Sequence, residues 1–135
     1  MSGYSDMHHL WYTRPVSGPG DMRPILTVRF YMSAAGREPV REWLLGLERD
    51  ARRVIGEDIK TAQYGWPLGM PLIRKLEPGL WEVRSRLKNG IARVVFTVEG
   101  PEMVLLHGFI KKSQKASEAD LKTARARLAD LLKEK

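Results

Sequence analysis

The sequence predicts an α+β domain: a small antiparallel sheet, an N-terminal helical hairpin and a C-terminal helix, in the order β-α-α-β-β-β-α. Three observations carry this expectation. Apolar residues recur at helical spacing in Val40, Trp43, Leu44 and Leu47, and again in Ala51, Val54, Ile55, Ile59 and Ala62. Alternating stretches at 80–87 and 91–98 flank Asn89-Gly90, the strongest short-range hairpin signal. With 135 residues and 43% apolar content, the chain is long enough for one domain around one core.

Residues 1–24 show no sustained period and carry Gly3, Gly18, Gly20, Pro15, Pro19 and Pro24. They read as a flexible extension or a non-native remnant, with Met22 as an alternative natural start and the folded domain at 25–135. His8 and His9 read as a disordered pair, because two histidines do not make a full metal-ligand set. Residues 25–31 are β-branched and aromatic, hence a strand. Pro39 suits the first position of a helix, and the second helical face ends at Gly65-Trp66-Pro67.

In the next strand Trp81, Val83 and Leu87 share one face, and Glu82, Arg84 and Arg86 the other. A two-residue Asn89-Gly90 turn would place Trp81 opposite Val98, Val83 opposite Phe96, Leu87 opposite Ala92, and Arg86 opposite Arg93. Residues 103–110 are apolar on both faces, which suits a central strand. If the preceding loop pairs Val98 with Met103, Arg93 falls opposite Gly108 and Lys112 takes the arginine face. Ser117 with Asp120 forms a capping-box-like start for a last helix over 121–132.

Composition removes several classes of function. Cysteine is absent, so there are no disulfides and no thiolate metal site, and no metal or cofactor is expected. No apolar run reaches the ~18 residues of a membrane helix, and the first 30 residues lack a signal-peptide core, so a cytoplasmic protein is expected. The charge is informative: 23 Lys+Arg against 16 Asp+Glu gives +7. Nine cations and only four carboxylates fall between Arg74 and Lys115. Arg74 and Lys75 precede the hairpin, Arg84, Arg86 and Arg93 lie on it, and Lys111, Lys112 and Lys115 follow the last strand. Two arginines directly opposed across strands destabilise a sheet unless an anion lies between them, so this face reads as a phosphate footprint. A purely structural reading has Glu82 pairing with Arg84 and the rest solvated. His107 lies in an apolar strand and reads as structural; Trp43, Trp66 and Trp81 read as packing.

The order of elements, with Gly79-Leu80-Trp81-Glu82-Val83-Arg84 and Leu105-Leu106-His107-Gly108-Phe109-Ile110-Lys111-Lys112, resembles the RelE/ParE toxin superfamily over residues 25–132. The likeness is to its HigB-like, phage-derived branch. The resemblance implies a RelE-like fold and the toxin of a type II toxin–antitoxin pair. Such a toxin is an endoribonuclease that cleaves messenger RNA in the ribosome and is held in a hetero-oligomer by a helix-turn-helix antitoxin. It matches the family's catalytic cations to Arg84, Arg93 and, at the end of the last strand, Lys111 or Lys112, while Arg74, Lys75, Arg86 and Lys115 are the substrate-binding candidates by their place in the cationic stretch. Many relatives end in a catalytic Tyr or His, and no aromatic residue or histidine follows Phe109 here. Two alternatives remain at this point: a ParE-like toxin that binds DNA gyrase, and a basic nucleic-acid-binding module without toxicity.

Overall fold

The computed structural model describes residues 23–111 and 116–134. Residues 1–22 of the expected extension, with His8, His9 and Met22, lie outside the described residues, as do Lys112 and Lys115. The chain runs β1 (Thr27–Phe30), α1 (Pro39–Leu45), α2 (Arg49–Gly65), β2 (Ile73–Glu77), β3 (Leu80–Leu87), β4 (Gly90–Glu99), β5 (Glu102–Lys111) and α3 (Glu118–Lys133).

Local chemistry explains the helix boundaries. Pro39 opens α1, where its missing N–H costs nothing, and the Gly46 N–H returns to the Glu42 carbonyl to close it. At α3, the Ser117 hydroxyl accepts from the Asp120 N–H at 3.1 Å, and the Asp120 carboxylate accepts from the Ser117 N–H at 3.4 Å. The capping box expected from sequence is formed.

The α+β class holds, with two differences in the sheet. It has five strands in the order β1-β5-β4-β3-β2 and is mixed, because β1 runs parallel to β5. The additional strand is β2, antiparallel to β3, formed by the segment around Arg74-Lys75 to which the expected order of elements gives no strand. Short, bounded by Pro71 and Pro78 and carrying exposed Lys75, it is an edge strand with little hydrophobic alternation to announce it. At the opposite edge, the chain entering β1 is tied to the end of α2. The Ile25 and Leu26 N–H groups both donate to the Gln63 carbonyl, and Gln63 Nε2 donates to the Leu26 carbonyl.

Helices cover both faces of the sheet. On one face Val40, Leu44, Ile55, Ile59 and Ala62 of α1 and α2 pack on Phe30, Val83, Val94, Phe96 and Leu105. On the other, Ala124 and Leu131 of α3 pack on Tyr31, Leu80, Val95, Val104 and Leu106. A helix on each side is what lets β4 and β5 be apolar on both faces.

Two local details set the register. The β3–β4 loop consists of Lys88 and Asn89, with Leu87 already paired to Gly90. The left-handed φ of 148° falls on Gly90, and no described non-glycine residue has a positive φ. The turn has the same two-residue length as an Asn89-Gly90 turn but sits one residue earlier in the chain. Between β4 and β5, Val98 does pair with Met103, as expected, but the pairing slips at Leu106 so that Val95 faces His107. This bulge puts Leu106 and His107 on the same face.

Gly108 follows the bulge and lies under the Trp43 indole; a Cβ there would meet the ring at 2.4 Å. Gly108→Ala is therefore expected to cost about 1–3 kcal/mol in urea denaturation through overpacking. Gly69→Ala, with nothing within 4 Å, is the neutral control.

Candidate functional site

Residues paired across strands point to the same face, so the register assembles the site. One row runs Arg74, Glu82, Val95, His107 across β2, β3, β4 and β5. The next holds Arg84, Arg93 and Phe109, and the third Arg86, Ile91 and Lys111. All three rows lie on the face covered by α3. The expected opposition of Arg86 and Arg93 is corrected to Arg84 and Arg93, because a turn that sits one residue earlier moves every pairing partner by two residues. The step of two keeps every side chain on its expected face. The Leu106 bulge changes parity instead: Arg93 faces Phe109 rather than Gly108, and Lys111 rather than Lys112 takes the arginine face.

Glu82 stands at the centre. Its side chain is 0% exposed, and Oε2 lies 3.1 Å from Arg84 Nη1 and 3.6 Å from Arg93 Nη1. Arg93 is also 0% exposed and Arg84 9%. Burial holds the Arg93 guanidinium below its ordinary range; Arg84 and Arg74 push the same way, and Glu82 opposes them. Two opposed guanidiniums thus share one buried carboxylate, with Arg74 close enough to be felt. Among the described residues the charged groups of the cluster leave an excess of positive charge at low dielectric, where an anion is held far more strongly than in water.

The first turn of α3 contributes a second carboxylate. Asp120 accepts from the Ser117 hydroxyl at 2.6 Å, lies 2.8 Å from His107 Nε2 and reaches Lys111 Nζ at 3.7 Å. Burial raises its pKa, but hydrogen bonds from Ser117 and His107 outweigh this and hold the carboxyl below the usual range. His107 stacks on Phe109 at 5.4 Å, and Arg127 Nη1 lies 3.5 Å from its Nδ1. Arg127 also donates at 2.8 Å to the carbonyl of Leu106, the residue the bulge leaves without a cross-strand partner. Further along, Tyr31 donates to Asp130 at 2.5 Å; burial and this bond push its pKa up to about 12.

The structure therefore brings together Arg74, Arg84, Arg93 and Lys111, with exposed Arg86 at the rim. Lys75 is not among them: it shares the Trp81 face, its Nζ 5.9 Å from the centre of that ring. Sequence reasoning named Glu82 only as a neutraliser of Arg84, although its i, i+2 spacing on one strand face already placed it with the cations. Asp120 was legible only as a helix cap, and Arg127 not at all, since no local pattern ties α3 to the bulge. Among the described residues, no helix is long and apolar enough to cross a membrane.

A family model described as phage derived protein Gp49-like (DUF891) matches residues 42–129, more than half of the chain. The match runs from within α1 to within α3 and takes in the whole arginine face. None of the curated proteins matches the chain.

Removing one member of a buried ion cluster leaves the others uncompensated. Glu82→Gln is expected to lower stability by about 3–5 kcal/mol in urea denaturation. Glu57→Gln, which breaks an exposed pair with Arg53, should cost less than about 0.5 kcal/mol.

Proposed function

The chain belongs to the phage-derived Gp49-like family, a toxin-like family related to RelE, and from that premise we propose that it is a messenger RNA endonuclease. It acts in the cytoplasm as the toxin of a type II toxin–antitoxin pair of the HigB-like kind. It cleaves messenger RNA in the ribosome and is neutralised by a helix-turn-helix antitoxin. The single observation that carries this reading is the direct opposition of Arg84 and Arg93 around buried Glu82, with Arg74 and Lys111 on the same face. Nothing in the family match favours the gyrase-binding alternative.

The chemistry asks three things of the protein. The 2′-hydroxyl must lose its proton, the pentavalent phosphate must be stabilised, and the 5′-oxygen must be protonated as it leaves. Arg84 and Arg93 suit the second task, because a planar fork of donors matches phosphate oxygens and is already oriented by Glu82. Lys111 borders the same face and is assigned proton transfer, together with Lys112, which lies outside the described residues. His107 is left out of the chemistry: Asp120 engages one ring nitrogen and Arg127 approaches the other. Arg86 at the rim and Arg74 at the edge strand serve substrate binding, with Lys75 and Lys115 assigned to the same task on their place in the cationic stretch of the sequence alone. An acidic antitoxin segment fits this surface by charge.

Expression followed by primer extension on cellular messenger RNA tests the reading. Arg84→Ala and Lys111→Met should each reduce cleavage about 100-fold or more and relieve growth arrest. Arg93 is too buried for a clean Ala substitution, so Arg93→Lys, which keeps the charge and loses the fork, replaces it. Growth arrest at wild-type strength in Arg84→Ala, or arrest with intact messenger RNA and inhibited DNA supercoiling, would overturn the assignment.

A further inference from the structure

The residues best suited to hold a phosphate are the least accessible ones on this face. Arg93 and Glu82 are 0% exposed and Arg84 9%, so a phosphodiester cannot touch Arg93 in this arrangement. The group from α3 that reaches the cluster is the Asp120 carboxylate, whose charge bears on Arg93 and which contacts Lys111 and His107. α3 is unevenly fastened. From Ala124 onward it is anchored by apolar burial at Ala124 and Leu131 and by polar bonds from Arg127 and to Asp130. Before Ala124 none of its residues is fully buried. There, Ala116 and Leu121 line a cleft of about 160 Å³ together with Arg74, Lys75 and Leu76. Among the described residues this helix end is held by polar contacts beside an open cleft, and such an end opens at little cost compared with one held by a core.

We infer that the first turn of α3 is a hinged cover, and that Asp120 is an internal counter-anion which a phosphate-type oxyanion displaces when the cover lifts. The inference rests on the arginine cluster being the phosphate site. In the closed form Asp120 offsets part of the excess positive charge. An incoming phosphate takes over Lys111 and reaches Arg84 and Arg93, while the Asp120 carboxylate moves out to water with the turn. The apparent affinity for phosphate is then reduced by the small fraction of open molecules, and any change that frees the turn recovers it.

Inorganic phosphate binding to the full chain, measured by calorimetry, tests this with three variants. Asp120→Asn should bind phosphate about tenfold more tightly than wild type. Glu118→Gln removes the same charge from the same turn, but among the described residues Glu118 pairs with Arg125 and not with the sheet, so it should change affinity less than about twofold. His107→Gln removes Asp120's partner on the sheet while leaving the helix cap intact, and should tighten binding in the same direction. Hydrogen exchange gives an independent readout: phosphate should speed exchange of the Leu121 amide, which donates to the Ser117 carbonyl in the closed turn. Equal effects of Asp120→Asn and Glu118→Gln, or a Leu121 amide that phosphate slows or leaves unchanged, overturn the cover. Cleavage in a ribosome-coupled assay separates the two readings. If no variant cleaves but the phosphate pattern holds, the nuclease assignment fails and the cover stands; the reverse result sinks the cover alone.

Discussion

Everything on the α3 side of the sheet answers to one electrostatic constraint: two guanidiniums face each other across β3 and β4 with a single buried carboxylate between them. Burying one charge costs several kcal/mol, and burying two like charges side by side costs more. Glu82 makes the arrangement tolerable without neutralising it. A fold selected only for stability would place apolar residues at these positions, as the opposite face of the same strands does with Val83, Ala92 and Val94. The sheet therefore divides its labour by parity, with the helical hairpin stabilising one face and unbalanced charge concentrated on the other.

The Leu106 bulge joins those two roles. One extra residue in β5 carries His107, Phe109 and Lys111 onto the charged face, and turns Gly108 toward Trp43. It also frees a carbonyl, and Arg127 of α3 takes it up. A single backbone irregularity thus delivers a cation to the cluster and provides the attachment for the helix that covers it. Bulges commonly occur where a sheet must re-aim side chains beside a site.

Much of this was legible in the sequence, and what was not has specific physical causes. The starts of α1 and α3 could be read because Pro39 and the Ser117–Asp120 pair act within one turn of chain. The face carried by each residue of β3 and β4 was legible because alternation has a period of two, and a hairpin shifted by one pair preserves it. The identity of the opposed arginines was not, because it depends on whether Lys88-Asn89 or Asn89-Gly90 forms the two-residue turn. The side taken by Lys111 was not either, since nothing around Leu106 departs from an ordinary apolar run. β2 escaped because a short, charged edge strand has almost no hydrophobic pattern, and Lys75 was grouped with the arginines on sequence adjacency alone. Asp120, His107 and Arg127 come together only through tertiary docking, which local patterns do not encode.

The two borders of the sheet are guarded differently, and this bears on how copies of the chain behave when crowded together. Where the chain enters β1, the end of α2 supplies Gln63, whose carbonyl and side-chain amide satisfy the Ile25 and Leu26 backbone as a neighbouring strand would. That end of the border is closed to a foreign strand. At β2 the described residues show no such seal; brevity and the protruding Lys75 do the work, since joining two such edges would bring like charges together. The protection at β1 is built from hydrogen bonds and is indifferent to salt, whereas that at β2 is electrostatic and weakens as ions screen it. Strand-to-strand association between molecules, if salt provokes it, starts from the β2 side.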